Sequence, residues 1–223
     1  MKERPILFNA PMVRAILAGT KTQTRRIVKP QPHAAHNPQH AEARAAGWVW
    51  MAHDDRPGYS FATGDFRCPY GQPGDRLWVR ETWYFEGTDM MRHGRTHSTQ
   101  DGVVRYLADG ARRTINTRWE AVERWMTRKP QNRPGIHMPR WASRITLEVT
   151  AVRVERLQDI SEADAMSEGA PPSHPSIDRI SREYGYPDFP LSWYAQLWDH
   201  INGPGSWEAN PWVWVVSFKR VTP

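Results

Sequence analysis

Lys21 and Thr24 stand three residues apart in the stretch AGTKTQTRR (18–26), with Arg25 and Arg26 directly behind them. A threonine hydroxyl is a weak nucleophile until a base takes its proton, and an amine three residues away reaches it across a turn. To act as that base the lysine must be partly neutral, which requires desolvation or a nearby cation; Arg25 and Arg26 are placed to supply the latter. The same residues equally suit a polar strand edge entered after a helix, and the pattern alone leaves both readings open. Glu168 adds a carboxyl at the predicted end of a helix over 161–168. There the carbonyl end of the helix dipole opposes a negative side chain, which favours a protonated, donating form; a solvated surface glutamate is the alternative.

Several elements are needed to position these groups. PILF (5–8) reads as a short strand, and NAPMVRAILAG (9–19) as a helix with Asn9 as N-cap, Pro11 near the first turn and Gly19 past the end. Met12, Ala15, Ile16 and Leu17 form its expected apolar stripe, and TQTRRIV (22–28) then reads as extended. PYGQPGD (69–75) is a turn leading into the strand RLWVRETWYF (76–85). Alternation puts Leu77, Val79, Glu81 and Trp83 on one face of that strand, and Trp78, Arg80 and Thr82 on the other. A glutamate on the apolar face needs a partner.

The longest strand signal is SRITLEVTAVRVERL (143–157), whose apolar phase moves from Ile145, Leu147 and Val149 to Val152 and Val154, predicting a bulge. DISEADAMSEG (159–169) follows as a short helix, with Ser161 and Asp164 approximating a capping box and Gly169 ending it. LSWYAQLWDHI (191–201) predicts an amphipathic helix carrying Trp193, Leu197 and Trp198. PWVWVVSFKRV (211–221) predicts a strand buried on both faces. A further helix is expected around Arg118–Arg128. The segments 29–68, 86–140 and 170–189 read as insertions into one domain spanning 1–223. This order suggests an α+β fold around a small barrel.

The 223 residues carry 30 Lys and Arg against 24 Asp and Glu, a net charge of +6. That balance favours a polyanionic partner, since each phosphate neutralised releases counterions, although no block of like charge concentrates it. Mean hydropathy is −0.73, and no apolar run approaches the roughly 20 residues of a membrane span. The start MKERPILFNAP lacks a signal-type apolar core, and the single cysteine, Cys68, suits a reducing compartment, so a cytoplasmic location is expected. His33, His36 and His40, and the pair His93 and His97, lie in poorly periodic segments without the rigid support that metal ligands need, so no metal is expected. Of the twelve tryptophans, Trp78, Trp83, Trp198, Trp212 and Trp214 are expected in the core. Trp48, Trp50 and Trp141 are the candidates for stacking on bases.

ILAGTKTQTRR, PGDRLWVRE, ITLEVTAVRVERLQDISEADAMSEG and PWVWVVSFK together resemble the ASCH domain of the PUA-like fold. The chain is similar to the longer ASCH proteins often encoded by phages and prophages, and its three insertions have no counterpart in minimal members. The resemblance implies a small β-barrel with flanking short helices, lined by Leu77, Val79, Ile145, Leu147, Val149, Val213 and Val215. Minimal bacterial members include amidohydrolases that remove the acetyl group from N4-acetylcytidine. Carried over by motif, Lys21 would be the proton acceptor, Thr24 the nucleophile and Glu168 the proton donor, with no metal or organic cofactor. Arg26, Arg80 and Glu81 would contact the substrate, a modified pyrimidine nucleoside or base, and Glu81 is expected to pair with Arg26. Other relatives imply two alternatives: a non-catalytic module binding single-stranded RNA and, ranked lower, a ribonuclease.

Overall fold

Asn9 turns the chain from its first strand, β1 (Glu3–Leu7), into its first helix, α1 (Ala10–Ala18). A computed structural model describes residues 1–29, 31, 49–53, 60–65, 67–87, 99–118, 131–171, 179, 183 and 189–221. The Asn9 side chain accepts from the Met12 N–H at 3.1 Å. Gly19 closes the helix in the left-handed region, φ 79°, a conformation that costs glycine no Cβ clash. The helix buries Val13 and Ile16, with Met12, Ala15 and Leu17 half-buried, so Val13 joins the expected inward stripe.

The described chain forms two compact units. The first comprises Met1–Thr20, Arg76–Glu148 and Arg220–Pro223. In it β1 runs parallel to β5 (Arg76–Arg80), and β5 pairs antiparallel with the opening residues of β9 (Thr146–Arg156), Leu77 facing Leu147. The second unit comprises Lys21–Asp75 and Val149–Lys219. Its main strands have the order β9-β10-β2, with β2 (Gln23–Ile27) antiparallel to β10 (Trp212–Val221). β3 (Val49–His53) and β4 (Ser60–Asp65) form a separate antiparallel pair, so the 29–68 segment holds regular structure that its composition did not announce.

The architecture is thus α+β. Leu77, Val79, Ile145, Leu147, Val149, Val213 and Val215 are all buried, as expected of core strands. Among the described residues, however, neither strand run closes on itself, and the expected closed barrel is replaced by open sheets. No helix among those residues is long and apolar enough to cross a membrane.

The expected continuous strand 76–85 is broken. β5 stops at Arg80 and β6 (Trp83–Gly87) starts a different sheet, because backbone partners other than β1 and β9 capture the intervening residues. Trp83 exchanges both backbone bonds with Arg133, at 3.1 and 2.7 Å, and the Thr82 carbonyl accepts from Leu107 N at 3.0 Å. β6, β7 (Thr99–Tyr106) and β8 (Arg112–Arg118) make an antiparallel meander with its own core of Trp83, Phe85, Val104, Tyr106, Met138 and Ala142. The segment 86–140, read from the sequence as an insertion with one helix around Arg118–Arg128, thus carries strands that were not expected there. The signal lay in VVRYLADGARRTI (103–115), an alternating run around an Asp-Gly turn. Trp141 sets its ring edge-on to Trp83 and Phe85, at 5.7 Å from each, so it belongs to this core and not to an exposed stacking surface.

Arg118 ends β8; the rest of the helix expected over 118–128, most of 170–189, Trp48, and His33, His36, His40, His93 and His97 lie outside the described residues. So does the side chain of Trp50.

Gly102 on β7 leaves the room that Phe85 fills: a Cβ there would meet the Phe85 ring at 2.3 Å and the Glu86 carbonyl at 3.0 Å. Gly102→Ala is expected to cost about 1–3 kcal/mol by overpacking. Urea denaturation of the variant measures this loss.

In the second unit, β10 buries Val213 to Val216 in succession, as predicted for a strand covered on both faces. Helices α2 (Glu162–Ser167) and α3 (Phe189–Asn202) supply Ala165, Tyr194 and Trp198 to a core with Leu157, Ile160, Val213 and Val215. Ser161 caps α2 by accepting from Asp164 N at 3.1 Å, and Gly169 follows at φ 101°. Burial along β9 changes phase across two exposed residues, Thr150 and Ala151, where the bulge was expected.

Candidate functional site

Backbone hydrogen bonds hold the segment around Lys21 from two sides. Thr22 N donates to the Ser167 carbonyl at the end of α2, and the Thr22 carbonyl accepts from Phe218 N on β10, both at 2.8 Å. This clamp brings Lys21 beside Glu168, 147 residues on in sequence. Lys21 Nζ donates to Glu168 Oε2 at 2.5 Å and to the Glu168 carbonyl at 2.8 Å. The Lys21 side chain is fully buried and that of Glu168 is 3 % exposed. The ion pair therefore sits out of water, where each partner depends on the other for compensation.

Strand alternation sends Gln23 and Arg25 to one face of β2 and Thr24 and Arg26 to the other. Arg25 is saturated with acceptors. Its Nη2 reaches Glu155 at 2.5 Å and Asp164 at 3.0 Å, its Nε reaches Glu155 at 3.1 Å, and its Nη1 reaches Gln23 at 2.7 Å and Glu168 Oε1 at 3.5 Å. Arg153 continues the network to Glu155 at 2.8 Å and Asp164 at 2.6 Å, and Gln23 donates to Asp164 at 3.1 Å. The Asp164 side chain is thus spent on β2 and β9, while Ser161 provides the cap of α2. Tyr194 on α3 donates its hydroxyl to Glu168 Oε1 at 3.4 Å, with the Arg25 guanidinium 5.9 Å from its ring centroid.

These surroundings set proton affinities. Burial lowers the Lys21 pKa; Glu168 opposes the fall, and the charges of Arg26 and Arg25 add to it. Burial and the Glu168 charge push the Tyr194 phenol well above its ordinary value, so the hydroxyl remains a donor. Burial alone would raise the Asp164 carboxyl, but Arg25, Gln23 and Arg153 outweigh it and hold it below the ordinary value.

Of the residues singled out in the sequence, the structure brings Lys21 and Glu168 into direct contact. Thr24 is buried on β2, opposite Val216 in the ladder and on the face away from Gln23 and Arg25. Arg26 shares that face. Glu81 is buried in the first unit as expected, but its partner is Arg144 rather than Arg26, through two bonds of 2.8 and 2.9 Å. Arg80 is also in the first unit, donating to the Ile136 carbonyl at 3.3 Å with its guanidinium 4.7 Å from the Trp78 ring centroid. Sequence reasoning missed Tyr194, Glu155 and Arg153. The available signals were the alternation of Arg153 and Glu155 in AVRVERL (151–157) and a tyrosine one turn before Trp198.

The chain matches no family model, no curated protein and no solved structure.

Proposed function

We propose that this chain is an ASCH-type member of the PUA-like superfamily, acting as an amidohydrolase on an N4-acylated cytidine-type nucleoside or base. The observation that carries the reading is the buried Lys21–Glu168 pair, joined at 2.5 Å, in which burial lowers the proton affinity of the lysine. Such a pair exists in two forms that differ by one proton: ammonium with carboxylate, or amine with carboxylic acid. The second form holds a base and an acid side by side, which amide hydrolysis requires.

In the proposed reaction neutral Lys21 takes the proton of Thr24, whose Oγ attacks the acyl carbonyl carbon. The C–N4 bond breaks as the Glu168 carboxyl gives its proton to the departing exocyclic amine, leaving an acyl-threonine, an ammonium and a carboxylate. Water then attacks the ester, acetic acid leaves, the Thr24 hydroxyl is restored, and one proton passes from Lys21 back to Glu168. Arg26 or a backbone N–H of the strand would stabilise the oxyanion. The single cysteine accords with action in the cytoplasm.

The excess of basic residues favours a second reading, a module that binds single-stranded RNA without turnover. Incubating purified protein with N4-acetylcytidine, beside an RNA-binding assay at several salt concentrations, separates the two. Release of cytidine and acetate is the expected result. Absence of turnover together with steeply salt-dependent RNA affinity would replace the hydrolase with the binding module.

A further inference from the structure

The two oxygens of Glu168 have different surroundings. Oε2 accepts from Lys21 at 2.5 Å. Oε1 faces the Tyr194 hydroxyl at 3.4 Å and Arg25 Nη1 at 3.5 Å. Both donors are buried and fixed by other partners. The Tyr194 ring packs tilted against Trp198 and edge-on to Trp207, at 6.2 Å from each, and Arg25 is anchored by Glu155, Asp164 and Gln23.

We propose that Tyr194 is a positioning residue that divides the work of the Glu168 carboxyl: with Arg25 it retains Oε1, so that Oε2 alone exchanges a proton with Lys21. The step moves one proton along one hydrogen bond. The Lys21 Nζ–H bond breaks, an O–H bond forms at Oε2, and the ammonium–carboxylate pair becomes amine and acid. A hydroxyl donated to Oε1 stabilises the carboxylate and so biases this proton towards Lys21. Among the described residues, the charged groups around the pair include Arg25 and Arg26 from β2, Arg153 and Glu155 from β9, and Asp164 from α2. Tyr194, in contrast to these charges, acts on the carboxyl through a neutral donor, and its raised pKa keeps it in that form. In the catalytic cycle this assignment rests on the hydrolase reading; its effect on the Lys21 proton does not.

The test follows the titration of Lys21 itself by NMR of protein carrying lysine labelled with ¹³C at Cε. The chain has five lysines, so the Lys21 signal is assigned by its loss in Lys21→Arg. Tyr194→Phe keeps the ring and removes the donor, and it should lower the Lys21 midpoint by about half a pH unit or more, the scale of one hydrogen bond to a buried charge. Placing 3-fluorotyrosine at position 194 strengthens the donor without removing it and should move the midpoint the other way. In a Glu168→Gln background Tyr194→Phe should produce no further shift, because the route through the carboxylate is gone.

An unchanged midpoint in Tyr194→Phe, or the same shift with and without Glu168, would overturn the assignment. If Tyr194→Phe does not fold, the fluorotyrosine protein decides alone, by an upward shift or by none. Where wild type hydrolyses N4-acetylcytidine, the acid limb of its pH–rate profile should move with the Lys21 midpoint. Where wild type turns over nothing, the hydrolase reading fails while the midpoints still decide the role of Tyr194.

Discussion

Replacing Lys21 with arginine is expected to lower hydrolysis of N4-acetylcytidine by about three orders of magnitude, the scale of a lost general base. Arginine preserves the positive charge and can donate to Glu168, but its guanidinium does not release a proton at accessible pH. Since the Lys21 side chain is fully buried, the larger group also crowds its surroundings, and the melting temperature must be measured beside the rate. Lost turnover in a folded variant supports the base; equal kcat in wild type and variant would end the lysine mechanism. Thr24→Ala should remove turnover to a similar extent, whereas Thr22→Ala should matter far less because Thr22 is exposed. Retained activity in Thr24→Ala would assign the attack to a water activated by the Lys21–Glu168 pair, in keeping with the position of Thr24 on the other face of β2 from Arg25.

The second large effect concerns the first unit and its stability. Glu81 is 1 % exposed and is bound through both carboxylate oxygens to Arg144. Arg144 also donates to Asp109 at 2.8 Å and lies 4.1 Å from the ring centroid of Tyr106. Burial works against the Arg144 charge, but the two carboxylates outweigh it and raise the guanidinium above its ordinary value. Burial, with the charges of Glu81 and Asp109, pushes the Tyr106 phenol up to about 12 against the opposing influence of Arg113 and Arg144; its hydroxyl donates to the Ala142 carbonyl at 2.8 Å.

Arg144→Met strands a buried carboxylate and is expected to cost about 3–5 kcal/mol at neutral pH, read by urea denaturation. A Glu81→Gln/Arg144→Met double variant should recover much of the loss, because the uncompensated charge is gone; no recovery would locate the cost elsewhere.

The deficit carries a pH signature. Burial raises the Glu81 carboxyl above its ordinary value even with Arg144 opposing it, and removing Arg144 raises it further. A carboxyl raised on folding binds its proton more tightly in the native state, so its stabilising contribution is present below the unfolded value and is lost as pH rises through the folded one. The deficit of Arg144→Met should therefore shrink as pH falls from neutral towards the ordinary carboxylate range. Asp109 has the opposite sign in wild type. The Arg144 hydrogen bond lowers its carboxyl, giving stability that is present above the ordinary value and lost as pH falls through the lowered one. Removing Arg144 takes away the largest part of that contribution, leaving the Ala111 N–H bond, and this also narrows the gap at low pH.

Local physics made much of the fold legible in the sequence. Asn9, Gly19, Ser161 and Gly169 bound their helices because capping depends on one side chain or one positive φ within a few residues. The unbroken apolar run of β10 and the phase change in β9 were readable because a strand's two faces alternate with period two. The types of the candidate site residues, a lysine after a helix stop and a glutamate ending another helix, were likewise visible one residue at a time.

Partner choice was not visible, because it is a property of distance through space. The break after Arg80 depends on Arg133 and Leu107 taking the backbone of Trp83 and Thr82, an exchange that no feature of RLWVRETWYF encodes. Glu81 had to be paired once it was buried, but only the packing around it selected Arg144 over Arg26. The union of Lys21 with Glu168 came from a clamp of two backbone hydrogen bonds between residues far apart in the chain. The sequence by itself determined which groups were present and which short segments they stood on. The tertiary structure alone decided which charges lost water together, and a buried ion pair acquires its altered proton affinity only through that shared desolvation.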